Sequence, residues 1–393
     1  MQQSGVRNAG WTLALLAVGL VCEGFDLQIA NFAAPKMIKA LGLTKAGFAP
    51  FLSASLFGML IGAPLFGWLG DRVGRRQVIV AGTVAYGLLT LGCTALASFW
   101  PLVAMRALTG LALGAVLPNI FALANEVAPE RLRTKAVAII GIGISTGGLI
   151  AGSTAAALAG AGWQMLFAIA GTVPLVLAAV LWLWLPESHR FLETPKRAPL
   201  SALFAGPLAL VTPAIWVVFV GVLMTVYLLT SWLPTMLQDN GLAPASAALV
   251  ATGYQAGSIL GSIVTVLLIG RTGWHQVAAF AALAAVTLAA TAWWSGSVAV
   301  VAIGLIATGF FVVGAQTGIN GSTSATYSTE LRASGLGFGL GIARLGSVLG
   351  PLAGGFAATI SHDVARTVLA MQVGPLLLAA LAAWWIAGRA EAQ

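Results

Sequence analysis

Two acidic residues, Glu23 and Asp26, lie within the first long apolar stretch of the chain, in the segment VCEGFDLQ. An ionised side chain at the centre of a membrane-spanning helix costs roughly 2.5 to 3.5 kcal/mol, so such residues usually have a function. A spacing of three positions places both carboxylates on about the same face of a helix. Because like charges repel strongly in a low dielectric, one of the two is expected to take up a proton. The pattern predicts proton exchange, with a structural salt bridge as the alternative.

The elements that carry these residues are predicted from composition. Hydrophobic residues make up 59% of the 393 residues, charged residues make up 8%, and the mean hydropathy is +0.96. A soluble domain carries about 25% charged residues, and a helix needs about 20 apolar residues to cross a bilayer. We therefore predict an all-α membrane protein with twelve transmembrane helices. These begin near Gly10, Gly47, Gln77, Trp100, Thr134, Trp163, Leu208, Ala245, His275, Val298, Ser334 and Ala365.

The distribution of basic residues predicts the topology. The chain has a net charge of +8, and Lys and Arg concentrate in the cytoplasmic loops of membrane proteins. With the N-terminus inside, 13 of the 19 basic residues fall in cytoplasmic segments. We expect both termini to be cytoplasmic, and we attribute the basic excess to topology rather than to binding of nucleic acid.

A weak internal repeat divides the chain into two halves. A shift of 199 positions aligns Arg72 with Arg271, Gly74 with Gly273, Thr109 with Thr308 and Arg133 with Arg332. Charged residues and prolines between the halves are typical of a cytoplasmic linker. We predict an N-terminal six-helix bundle at residues 1–186, a linker at 187–207 and a C-terminal six-helix bundle at 208–393. The solute site of such a duplicated transporter lies near the bilayer midplane between the bundles.

The segment GWLGDRVGRR at residues 67–76 resembles the loop between helices 2 and 3 of the major facilitator superfamily, with the pattern G-x-L-x-D-R-x-G-R-[RK]. The resemblance implies the twelve-helix major facilitator fold. An acid beside several cations at helix ends can hold one face of the bundle shut and release it on rocking. The alternative is that these charges only fix the topology. The predicted latch residues are Asp71, Arg72, Gly74, Arg75, Arg76, Glu126 and Arg133. The second copy lacks the acid, because position 270 is Gly.

Further segments are similar to one branch of that superfamily, the aromatic acid/proton symporters. They include EGFDLQ from Glu23, RALTG from Arg106, PES from Pro186, SWLP from Ser231 and the glycine-rich run from Arg332 to Gly355. The form EGFDLQ and the short linker look most like the hydroxyphenylpropionate permeases. Many members of the branch have Asp where Glu23 stands, which leaves the substrate open.

The resemblance implies import of a small, hydroxylated aromatic carboxylate by proton symport and alternating access. The expected partners are that substrate, protons and the lipid bilayer, with no nucleic acid. We expect a functional monomer in a bacterial inner membrane, with no metal and no cofactor other than the proton as coupling ion. The alternatives are an antiporter or exporter of amphipathic compounds and a symporter of another organic anion. An enzyme is not expected, because the sequence has no H-E-x-x-H motif and its three histidines, His189, His275 and His362, lie in or at the edges of predicted loops.

Charged residues inside the predicted spans supply the candidate site. Asp26 is the preferred proton-coupling residue, Glu23 can share its proton, and Arg106 is expected to pair with one of the two. Arg344 falls near the midplane of helix 11, where its planar guanidinium can bind the carboxylate of a substrate. Pairing of Arg344 with a helix 1 carboxylate in the empty state is the rival interpretation.

Aromatic and amide side chains complete the predicted substrate site. Phe25, Tyr227, Trp232, Tyr254 and Tyr327 can stack on an aromatic ring, and Gln28, Asn119, Gln255, Gln316 and Asn320 can bind hydroxyl or carboxylate groups. For each of these residues, helix packing is the alternative. Asn119, Gln316 and Asn320 are the stronger amide candidates, because an amide buried among apolar helices needs partners.

Overall fold

The computed structural model describes residues 2–187, 200–268, 272–293, 297–328, 331–361 and 363–391. Most of the predicted linker, residues 188–199, lies outside this set, as do Gly270 and Arg271 of the second loop motif. The described residues form thirteen α-helices and a few short 3-10 turns, without a β-strand. The helices are α1 (Gln2–Leu41), α2 (Lys45–Val73), α3 (Arg75–Gly92), α4 (Phe99–Val127), α5 (Arg133–Ala157), α6 (Trp163–Trp184), α7 (Leu208–Asp239), α8 (Pro244–Leu268), α9 (Gly273–Trp293), α10 (Val298–Thr326), α11 (Arg332–Ile360), α12 (Val364–Met371) and α13 (Val373–Glu391).

Twelve segments among the described residues are long and apolar enough to cross a membrane, and α12 and α13 together form the last of them. Each segment begins within two residues of the start predicted from the sequence. Large apolar side chains such as Trp293, Leu267 and Trp100 are exposed on the helices. Such exposure suits contact with lipid rather than water. The prediction of an all-α membrane protein is confirmed.

The chain divides into two compact units. The first comprises residues 1–193 with 241–252, and the second comprises residues 194–240 with 253–393. In the first unit α1 packs on α5 and α6, and α3 packs on α4 and α6. In the second unit α7 packs on α11 and α13, and α9 packs on α10 and α13. The helices α12 and α13 together form the twelfth span. Each helix pair of the first unit therefore recurs in the second unit with both span numbers raised by six, as expected for a duplicated bundle.

Backbone contacts fix two helix pairs in the first unit at close distance. A Cβ atom on Gly24 of α1 would lie 2.1 Å from the carbonyl oxygen of Ile144 on α5. A Cβ atom on Gly110 of α4 would lie 1.9 Å from the carbonyl oxygen of Ser55 on α2. Only glycine allows these approaches, which are typical of helix packing in membranes. Both glycines lie within one turn of the ionisable residues described next.

Candidate functional site

An ion pair joins α1 to α4 in the interior of the first unit. Nη1 of Arg106 lies 3.1 Å from Oδ2 of Asp26, and the two side chains are 2% and 0% exposed. Thr90 of α3 donates a hydrogen bond of 2.6 Å to the other carboxylate oxygen, Oδ1. Each carboxylate oxygen of Asp26 therefore has a donor. Of the two partners that the sequence left open for Arg106, the structure selects Asp26.

Five of the six helices α1 to α6 contribute to the pair. Ser55 of α2 donates a hydrogen bond of 3.0 Å to the backbone oxygen of Arg106. The ring of Phe167 on α6 lies 5.8 Å from Cζ of Arg106, which places an aromatic face beside the guanidinium. The site therefore takes Asp26 from α1, the hydroxyls from α2 and α3, Arg106 from α4 and an aromatic wall from α6. Movement of any of these helices would disturb the pair.

The ion pair lies well inside the membrane-spanning part of the unit. Asp26 is 17 residues beyond the start of the first span at Ala9, or about 25 Å along the helix. Arg106 is seven residues beyond Phe99, or about 10 Å into α4. At such depths two charges are separated from bulk water, so their mutual attraction is screened little.

Sequence reasoning missed two hydroxyl groups of α3 beside this pair. Thr90 binds Asp26 directly, and Tyr86 lies one turn earlier with no exposed surface. Tyr86 is close enough to interact electrostatically with Cys22, Glu23 and Asp26. Glu23 is likewise fully buried. The available signal was the spacing of Tyr86 and Thr90, four positions apart in the part of α3 that follows Thr83 and is otherwise apolar.

Arg344 lies on α11 of the second unit. It is ten residues beyond the start of its span at Ser334, or about 15 Å along the helix, which is half of a hydrocarbon layer of about 30 Å. Its side chain is half-buried. Within the described part of the chain, its guanidinium makes no hydrogen bond or ion pair. The N–H donors of the Arg344 guanidinium therefore have no protein partner among the described residues.

Two amides of the first unit have protein partners. Asn119 donates hydrogen bonds to the carbonyl oxygens of Phe66 (3.1 Å) and Ala115 (2.7 Å). It is thirteen residues from Arg106 on the same helix, which is about 20 Å. One hydrogen bond thus joins α4 to α2 and the other stays within α4, both far from the ion pair. Gln28 accepts a hydrogen bond of 2.8 Å from Asn31 and lies on α1 beside the buried ring of Phe25.

The aromatic candidates of the second unit fall into two groups. Trp232 is fully buried, and its indole N–H donates to the carbonyl oxygen of Pro351 at 2.9 Å. The hydroxyl of Tyr327 lies 2.9 Å from that of Thr212 at one end of the unit. Packing, the alternative weighed for both residues, accounts for these contacts. Tyr227 is half-buried on α7 and Tyr254 is buried on α8.

The remaining amide candidates differ in exposure. Gln255 is buried and Gln316 is half-buried, which fits side chains directed into an apolar bundle. Asn320 is exposed, so the expectation of a buried amide at this position was wrong. The reason is the face of α10 on which it lies, because Ile319, Ser322 and Thr323 on the packed face of the same helix are buried.

The loop between α2 and α3 carries a charge cluster, as the latch prediction requires. Arg75 binds Oδ1 of Asp71 at 3.1 Å and Oε1 of Glu126 at 3.0 Å. This one side chain therefore connects the end of α2, the start of α3 and the end of α4. Arg133 lies 3.8 Å from Glu130, which is 88% exposed, so this pair contributes little to stability.

Glu187, which the sequence placed in the linker, also belongs to this cluster. Its Oε1 accepts a hydrogen bond of 3.1 Å from the backbone N–H of Arg76, at the start of α3. Gly74 has φ of 113°, and a Cβ atom there would lie 2.9 Å from the Glu187 carboxylate, so only glycine fits. The Arg76 guanidinium donates to the carbonyl oxygen of Trp182, and Arg72 stacks on Trp68 at 4.0 Å. The cluster therefore also binds the segment that follows α6.

Comparisons with known proteins agree with this architecture. Residues 16–248 match the family model of the Major Facilitator Superfamily. A gallate transporter of Pseudomonas putida is 33% identical over 95% of this chain and 90% of its own length. A 3-(3-hydroxy-phenyl)propionate transporter of Escherichia coli is also 33% identical, over 96% of this chain and 94% of its own length. A bacterial homologue of the human lysosomal transporter Spinster, solved in an inward-facing and occupied conformation, matches with a TM-score of 0.76, 19% identity and 96% coverage of both chains.

Proposed function

Because the chain belongs to the major facilitator superfamily and is a transport protein rather than an enzyme, we propose that it imports a small, hydroxylated aromatic carboxylate together with a proton. The named substrates of the two relatives, gallate and 3-(3-hydroxyphenyl)propionate, both carry a carboxylate, an aromatic ring and at least one hydroxyl group. A substrate of this class needs a cation for the carboxylate and apolar surface for the ring. Arg344 and the apolar helices around it can supply both.

The observation that carries the proposal is the fully buried pair of Asp26 and Arg106. Removing two charges from water costs several kcal/mol for each ion, and a buried pair is often no more stabilising than apolar residues of similar volume. Stability alone is therefore a weak reason for the pair. A buried carboxylate that exchanges its arginine for a proton can couple proton binding to a change of state, because the two forms differ in charge and in contacts.

The proposed transport cycle follows from charge neutralisation. A proton from outside binds Asp26, with Glu23 sharing it, and weakens the contact with Arg106. The substrate carboxylate neutralises Arg344, whose planar fork suits a bidentate contact. A site loaded with one proton and one monoanion then adds no net charge to the reorienting protein. We infer electroneutral symport by alternating access in a monomer, with both termini cytoplasmic and the protein in a bacterial inner membrane.

The Asp71–Arg75–Glu126 cluster has a separate role in this proposal. It connects three helix ends of the first unit and lies far along α4 from Arg106. Twenty residues separate Arg106 from Glu126 on that helix, which is about 30 Å. We assign the cluster to the conformational latch, where it stabilises one state of the cycle without contacting proton or substrate. The ionic contacts would then break and re-form as the carrier reorients.

Uptake into proteoliposomes tests the proposed function. The purified protein is reconstituted and supplied with labelled gallate, 4-hydroxybenzoate, 3-(3-hydroxyphenyl)propionate, a sugar and a neutral amphipathic compound, with and without an inward proton gradient. The expected result is accumulation of one or more of the aromatic acids, driven by the gradient. Preference for the sugar or the neutral compound, or equal uptake without a gradient, would contradict the proposal.

Arg344→Lys is expected to weaken substrate binding at least tenfold while the protein still folds. Lysine keeps the positive charge but loses the planar fork that makes two parallel hydrogen bonds to a carboxylate. The measurement is the apparent affinity for the transported acid in the proteoliposome assay. Arg332→Lys is the matched control, because it makes the same change at an exposed position at the start of the same helix. An unchanged affinity in Arg344→Lys would place the carboxylate elsewhere.

A further inference from the structure

Tyr86 is a fully buried tyrosine whose hydroxyl has no hydrogen-bond partner within the described part of the chain. A buried polar group without a partner loses its interactions with water and gains nothing in return, so it is rare and needs an explanation. The surroundings of Tyr86 are not apolar, because Cys22, Glu23 and Asp26 interact with it electrostatically. The hydroxyl therefore lies unsatisfied next to the acidic pair of the proposed proton site.

The position of Tyr86 on α3 relates it to Thr90. The two residues are four positions apart and lie on one face of the helix, as Glu23 and Asp26 do on α1. Thr90 donates to Asp26 at 2.6 Å, whereas Tyr86 makes no such bond. The helix is held in place, since a Cβ atom on Gly171 of α6 would lie 2.5 Å from the backbone nitrogen of Leu91. The two hydroxyls thus face the same acids from a fixed helix, but only one is in use.

The ionisable groups around Tyr86 are few. They are Cys22, Glu23 and Asp26 on α1, Arg106 on α4 and Cys93 just after α3. Helix α6 contains no ionisable residue, and those of α2 and α5 lie at the helix ends, at Lys45, Asp71, Arg72, Arg133 and Lys135. A proton that binds near Tyr86 therefore binds to the acids of α1, and it changes the contact of Asp26 with Arg106.

Proton binding to Glu23 and Asp26 would change the hydrogen-bonding capacity of these acids, and this change explains a Tyr86 hydroxyl that has no partner in the structure. In the structure both oxygens of Asp26 accept hydrogen bonds, from Thr90 and from Arg106. A proton removes the charge that attracts Arg106 and turns the acceptor-only carboxylate into a group that also donates. A tyrosine hydroxyl can both donate and accept, so it suits a protonated carboxyl group next to a second carboxylate.

We propose that Tyr86 is a positioning residue whose hydroxyl bonds the Glu23–Asp26 pair only when that pair carries the transported proton. Thr90 and Tyr86 then act on opposite protonation states. Thr90 stabilises the unprotonated form that pairs with Arg106, and Tyr86 stabilises the proton-loaded form. This inference rests on the proposed proton symport, which it extends by a residue that favours proton capture.

Three variants of α3 test the inference through the external pH at which uptake is half-maximal. Tyr86→Phe removes only the hydroxyl, so proton binding weakens and the midpoint moves to lower pH, by about one unit for one hydrogen bond. Thr90→Val removes a bond to the charged form, so the midpoint moves to higher pH by about the same amount. Thr83→Val is the control: Thr83 is equally buried on α3 but donates to the carbonyl oxygen of Ile79 in its own helix. Its midpoint is expected to stay at the wild-type value.

Exchange of labelled for unlabelled substrate at equal pH confirms that each variant is folded and binds substrate. Shifts of opposite sign in Tyr86→Phe and Thr90→Val support the inference. A wild-type midpoint in Tyr86→Phe, or a shift to higher pH, overturns it while leaving proton symport intact. If wild-type uptake does not respond to a proton gradient, the proposed function itself fails, and the two failures are thereby distinguished.

Discussion

Replacing Asp26 by Asn is expected to abolish accumulation of substrate against its gradient while exchange of labelled for unlabelled substrate continues. Asparagine has nearly the shape of aspartic acid and can still accept the hydrogen bond from Thr90, but it binds no proton and carries no charge. A symport of one proton with one monoanion accumulates substrate about tenfold for each pH unit of gradient, because one unit corresponds to about 1.4 kcal/mol. In the Asp26→Asn variant this ratio should fall to about one. The measurement is the steady-state ratio of internal to external substrate in proteoliposomes at a fixed pH gradient.

The matched control for this variant is Asp363→Asn. Asp363 caps the start of α12 by accepting a hydrogen bond of 3.0 Å from the backbone N–H of Arg366, and asparagine caps helices equally well. The same change of carboxylate to amide outside the buried site should therefore leave accumulation at the wild-type level. Full accumulation by Asp26→Asn would show that Asp26 does not carry the coupled proton, and Glu23 would then be the candidate for that role.

Replacing Arg106 by Met is expected to destabilise the protein by about 3–5 kcal/mol, the usual cost of leaving one member of a buried ion pair without its partner. Asp26 would keep Thr90 as a hydrogen-bond donor but lose the only cation that contacts it among the described residues. Methionine has a similar length and flexibility, so it fills much of the space that the arginine leaves. The measurement is the thermal unfolding of the purified protein in detergent at neutral pH.

The double variant Asp26→Asn with Arg106→Met separates charge from packing. Without a buried charge in either position, most of the lost stability should return, although proton-driven accumulation remains absent. A loss in the double variant that equals or exceeds the loss in Arg106→Met would mean that packing of the guanidinium, for example against Phe167, matters more than its charge. Stability of Arg106→Met equal to that of the wild type would contradict the assignment of a strong buried pair.

The helices could be predicted from the sequence because their signal is local and strong. A run of about 20 apolar residues with few charges has hardly any alternative to a membrane-spanning helix. The starts of the spans therefore agree within two residues. The division of the chain at residues 187–207 stays a prediction, since residues 188–199 lie outside the described set.

The pairing within the site could be predicted only in part. Asp26 and Arg106 are 80 positions apart, and the sequence left Glu23 as an equal partner for the arginine. What decides between them is the rotation and height of α1 relative to α4, which depend on how each helix packs on its neighbours, α1 on α5 at Gly24 and α4 on α2 at Gly110. Such contacts depend on which glycine meets which carbonyl oxygen, and hydropathy does not contain that information.

Single polar side chains were the least predictable part of the site. Trp232 and Asn119 looked like substrate contacts, yet their N–H groups bind backbone carbonyl oxygens of neighbouring turns and helices. Thr90 looked like an ordinary small residue of an apolar helix, yet it donates to the central carboxylate. Whether a buried donor is used by the backbone or remains for a ligand depends on tertiary packing, which residue type alone does not reveal.

Proton movement driven by the substrate itself tests the central claim most directly. Proteoliposomes that contain a trapped pH-sensitive dye, with equal pH on both sides and weak internal buffer, receive an inward gradient of the transported aromatic acid. We predict internal acidification with wild-type protein, at a rate proportional to substrate uptake, and none with Asp26→Asn. Uptake of the acid by wild-type protein without acidification, or equal acidification with Asp26→Asn, would contradict proton symport through the buried pair of Asp26 and Arg106.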